Sequence, residues 1–113
     1  MSPVRTNASQ LHGTLDLLVL RTLRGGALHG YAITQRLKQL SSDVLQVEEG
    51  SLYPALYRME QRGWIASAWA TTDLNRRARF YSLTRTGRTQ VEAETGSWVR
   101  LSGAVNRVIA GTK

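Results

Sequence analysis

Between residues 64 and 84 the chain changes its period. The segments "WIASAWA" (64–70) and "ARFYSLT" (78–84) favour extended structure through aromatic residues and alternation. "TTDLNRR" (71–77) between them is polar and carries the turn formers Asp73 and Asn75. Elsewhere the apolar residues recur at helical spacing. A β-hairpin embedded in an otherwise helical chain restricts the available folds more than any other feature.

Before the hairpin the spacing predicts three helices. From about Leu11 to Leu23, apolar residues at 11, 15, 17, 18, 19, 20 and 23 cover most of a helix's circumference. Such a helix is buried on two sides, inside the fold or partly against another subunit. "RGG" (24–26) stops it, because glycine accepts the left-handed conformation after a helix cheaply. Residues 29–40 form an amphipathic second helix with Ile33, Leu37 and Leu40 on one face. "SSD" (41–43) reads as a loop and "VLQV" (44–47) as a short extended segment. A third helix over 50–62 buries Leu52, Ala55, Leu56 and Met59, with Pro54 in its first turn and Gly63 closing it. After the hairpin, Thr84 caps a long helix over 85–110, and residues 1–10 read as a flexible arm. The order helix, helix, helix, hairpin is a winged helix-turn-helix over 11–84, mainly α with a two-stranded β-hairpin wing. Residues 85–113 are left as a long C-terminal helix for dimerisation.

At 113 residues the chain is one domain by length. Its 15 Lys and Arg oppose 8 Asp and Glu, a net charge of +7, and thirteen of the cations are arginine. Arginine's planar fork suits phosphates and base edges, and this excess implies an anionic partner, most often nucleic acid. No cysteine is present, which excludes disulfides and thiol chemistry. His12 and His29 have no glutamate or histidine neighbour at metal-ligand spacing, and no glycine-rich phosphate loop occurs. An enzyme, a metal or a cofactor is therefore not expected. The longest apolar run, "LDLLVL", is too short to span a bilayer, and no signal peptide is recognisable. A cytoplasmic protein without a membrane partner is the expectation.

In a winged helix-turn-helix the third helix enters the major groove. Its outward side carries Tyr53, Pro54 and Tyr57, flanked by Ser51 and Arg58. Tyrosine supplies a hydroxyl for phosphates or bases and an apolar ring for sugars and thymine methyls. The bland alternative is that both tyrosines cover neighbouring helices. The arginines that follow weigh against it: Arg76, Arg77, Arg79, Arg85 and Arg88 occur with no acid between them. Arg76, Arg77 and Arg79 fall on the hairpin tip and returning strand, where they would neutralise phosphates. Double-stranded operator DNA is thus the expected partner. A basic RNA-binding or architectural protein without sequence preference is the alternative.

In the last helix Val91, Trp98 and Val105 repeat every seven residues, and Leu101 and Val108 fill the second heptad position. A helix of about 25 residues is too long for so small a domain to cover, so the spacing predicts a homodimer seam, joined by Leu17 of the first helix. Trp98 is bulky for such a seam and occurs twice in a dimer. Paired indoles would suit a planar aromatic or cationic effector, with Asp16 and Leu17 completing the walls.

The segments "LDLLVLRTL" (15–23), "LHGYAITQRL" (28–37), "EEGSLYPALYRMEQRGWI" (48–65) and "RRARFYSLTRTG" (76–87) together resemble the PadR family of bacterial transcriptional regulators. The resemblance extends from about Leu11 to Ile109. It implies a winged-helix dimer, joined through the last helix, that represses from operator DNA and is released by a small molecule. In similar multidrug-sensing proteins, last-helix tryptophans line a pore at the interface, and Trp98 matches that position. Two departures are visible. Family wings are often glycine-rich before the arginines, whereas this one reads "TDLNRRARFY". The short C-terminal region matches the small subfamily, with no separate sensing domain expected.

Overall fold

The computed structural model describes residues 4–5 and 12–112. The elements in chain order are β1 (Val4–Arg5), α1 (His12–Leu23), β2 (Leu28–His29), α2 (Gly30–Leu40), β3 (Leu45–Gln46), α3 (Glu49–Gln61), β4 (Ile65–Thr71), β5 (Arg77–Leu83) and α4 (Arg85–Gly111). Of the arm expected over 1–10, only β1 is described, paired in parallel with β3; the rest lies outside the described residues.

Helix α1 is the centre of the core, and its all-round apolar pattern is the reason. Leu15, Leu17, Val19, Leu20 and Leu23 are all buried. Leu17, expected at a subunit interface and beside an effector, is covered by its own chain at 7% exposure. The turn that follows α1 closes at Gly26, whose φ of 133° few other residues adopt and whose N–H donates to the Leu23 carbonyl.

His29 caps α2, its Nδ1 accepting from the Ala32 N–H at 3.3 Å. Ile33 and Leu37 bury the inner face, but Leu40, expected with them, is 64% exposed. It is the last residue of α2, beyond the part that faces the core. Helix α3 buries Leu52, Ala55, Leu56 and Met59 as the spacing requires. Its end is a paired closure: the Gly63 N–H donates to the Glu60 carbonyl and the Trp64 N–H to the Met59 carbonyl. The 6→1 and 5→2 bonds need a left-handed residue after the helix, supplied by Gly63 at φ 76°.

Strands β4 and β5 form the expected hairpin, in register from Ile65–Leu83 to Thr71–Arg77. The tip is closed by the Thr72 N–H donating to the Arg76 carbonyl at 2.7 Å, with Asn75 at φ 59°. The sheet has a third strand, because Leu28 and His29 pair with Tyr81 and Phe80 on the other side of β5. A two-residue strand is too short to show alternation, and only its distant partner defines it.

Thr84 caps α4, accepting from the Gly87 N–H at 3.0 Å and donating to the Gly63 carbonyl at 2.6 Å. The helix runs 27 residues, about 40 Å at 1.5 Å per residue. Val91 was expected at the dimer seam. It is 1% exposed and belongs to the chain's own core. The seven-residue repeat is therefore split, because only the first turns of α4 lie beside the core. Trp98, Leu101, Val105 and Val108, further along the same repeat, are exposed.

Candidate nucleic-acid interface

With four residues of α3 committed to the core, the opposite side of the helix points outward. Tyr53 is 46% and Tyr57 67% exposed, Pro54 is exposed and Ser51 half-buried. Pro54 falls in the second turn of the helix, not the first, because α3 starts at Glu49. Lacking an N–H, it leaves the exposed Gly50 carbonyl without its i+4 donor. The Tyr53 ring rests on α2: a Cβ added at Gly30 would lie 2.6 Å from the Tyr53 hydroxyl oxygen. Gly30 thus makes room for Tyr53. One side of the ring covers α2, and the remainder is open.

The wing is tied to α3 by polar contacts. Arg79 Nε donates to Ser67 Oγ at 2.7 Å, Ser67 Oγ donates to Glu60 Oε2 at 2.7 Å, and Arg79 Nη2 lies 3.5 Å from the same carboxylate. Arg77 sits 5.5 Å from the centre of the Trp69 ring. Trp69 and Tyr31, each 60% exposed, were not among the residues singled out from the sequence. Trp69 shares the strand face of buried Ile65, so alternation alone places it inward; the strand has outrun the core at that point. Tyr31, Tyr53, Trp69, Arg77 and Arg79 border one open concavity of about 440 Å³. Its floor includes Tyr81, whose hydroxyl pKa is raised by burial, so that side chain remains neutral. Arg76 is exposed near the tip. The structure therefore brings Tyr53, Tyr57 and the wing arginines to neighbouring surfaces.

Arg58 does not join them. Its Nη2 donates to Asp16 Oδ1 at 2.9 Å, and Arg62 approaches the other carboxylate oxygen at 3.9 Å. Asp16 is 4% exposed, so its charge requires a cation, and α3 supplies it. The same pairing removes Asp16 from the expected effector site. Trp98, 45% exposed on α4, is left without the two α1 residues expected to wall it.

Comparison with known proteins agrees with this geometry. Residues 19–93 match the model of the PadR-like transcriptional regulator family. A PadR-like transcriptional regulator from Bacillus cereus superposes with a TM-score of 0.78 at 28% identity, covering 92% of this chain and 99% of that one. A PadR family transcription regulator from Clostridium difficile gives 0.70 at 27% identity, covering 84% and 97%. An uncharacterized 37.1 kDa protein of transposon TN4556 from Streptomyces fradiae is 38% identical over 102 residues. That match takes in 90% of this chain, which spans only 26% of the relative's length. The exposed tyrosine face, the basic wing and the matched residues lead to one statement: the chain belongs to the PadR-like family of transcriptional regulators.

Proposed function

We propose that the chain binds double-stranded operator DNA as a homodimer, with α3 in the major groove and the wing along the backbone. One observation carries this reading. Helix α3 buries Leu52, Ala55, Leu56 and Met59 to within 1% exposure while turning Tyr53 and Tyr57 outward beside Arg77 and Arg79. Residues 11–84 would then be the DNA-binding unit and 85–113 the dimerisation segment. The stripe of Trp98, Leu101, Val105 and Val108, exposed in the single chain, supports the second part. A two-fold dimer reads an inverted repeat. The protein works by binding rather than by catalysis, on cytoplasmic DNA. It acts as a repressor released by a small molecule, for which paired Trp98 rings at the two-fold axis offer a planar aromatic seat.

Selection of bound duplexes from a random pool tests this. The expected product is an inverted repeat whose half-sites lie about one helical turn apart. Binding without any enriched sequence would overturn the reading in favour of an architectural role.

A further inference from the structure

A second concavity, of about 760 Å³, lies between α2 and the tip of the wing and shares Tyr31 and Arg77 with the first. Its size is that of small-molecule sites, which run to roughly 300–1,000 Å³. Leu28, Tyr31, Ala32, Leu74 and Ala78 make it mainly apolar. Leu74 is 80% exposed at a hairpin tip where polar turn formers are usual, and Tyr31, which lines the same concavity from α2, is 60% exposed. An apolar residue this open on each wall marks a surface meant to be covered.

The charged lining is net positive. Arg36 comes from α2, and Arg76 and Arg77 from the wing, against Asp73 alone: three cations to one anion. A phosphate backbone would use the arginines but leave the apolar walls unmatched. A molecule with an apolar body and an anionic end matches both.

We propose that the cleft between α2 and the wing tip binds a small amphipathic organic anion, whose charged end pairs with Arg76 and Arg77. The ligand's effect on DNA rests on the reading of these arginines as phosphate contacts; the site itself does not. Because the anion and the DNA backbone would claim the same guanidinium groups, each lowers the affinity of the other.

The test uses the full chain and the fluorescent probe anilinonaphthalene sulfonate, titrated without DNA so that the outcome is independent of operator binding. Saturable binding is expected. Leu74→Asp and Ala32→Trp should each weaken it about tenfold or more, by placing a charge in the apolar wall or filling the space. Leu74 is exposed, so its variant keeps the fold. The site is overturned if no saturable binding occurs, or if Trp98→Ala abolishes it while both cleft variants retain it. In a second titration, saturating probe should weaken binding of the parent to random duplex DNA several-fold, and unchanged affinity there would overturn the antagonism.

Discussion

At Gly87 there is no room for a side chain: a Cβ would overlap the Trp64 carbonyl oxygen. The obstacle is backbone, held in turn by the Thr84 N–H at 3.1 Å, so it cannot yield as a flexible side chain would. This one contact joins the end of α3, the start of β4 and the first turn of α4. Gly87→Ala should therefore lower stability by about 3 kcal/mol, the upper part of the usual range for overpacking, read from the urea midpoint. A midpoint equal to the parent's would show that the junction is loose. Tyr53 has a different task, since half of its surface is open. Tyr53→Ala should cost about 1–3 kcal/mol in affinity for a selected operator and leave the unfolding midpoint nearly unchanged. An unaltered operator affinity would remove Tyr53 from the reading face.

At the scale of elements, the wing separates positioning from reading. Arg77 stacks on Trp69 and has no carboxylate partner among the ion pairs of the described residues, whereas Arg79 shares Glu60 and Ser67. Arg77→Ala should flatten the salt dependence of DNA affinity by about one unit of slope and weaken all sequences alike. Loss confined to the selected site would assign Arg77 to base reading. The four main helices and the hairpin were legible in the sequence because each repeats its period over several residues. The buried stripe of α3 and its outward tyrosines followed from the same arithmetic. What stayed hidden depends on distant partners. Leu28 and His29 become a strand only through β5. Asp16 and Arg58, 42 positions apart, show no local sign of their ion pair. Val91 and Trp98 share one heptad position, and only the extent of the core tells that the first is inside and the second outside.

For the whole molecule, the proposed dimer makes α4 the element that decides how two copies meet. Leu101 is 58% exposed in the single chain, so an aspartate there costs the fold little, but it would be buried unpaired in a dimer. Leu101→Asp should sediment as a folded monomer, and a variant that remains dimeric would place the interface elsewhere. A symmetric dimer also fixes the distance and angle between two α3 helices, which makes the operator's spacing a property of the protein. The most direct test measures affinity for the selected inverted repeat and for the same repeat with half a helical turn, about 5 base pairs, inserted at its centre. If two α3 helices on a two-fold dimer read the half-sites together, the insertion turns one half-site to the opposite side of the duplex. The predicted loss is on the order of 100-fold or more, approaching non-specific binding. Equal affinity for both duplexes would contradict the account.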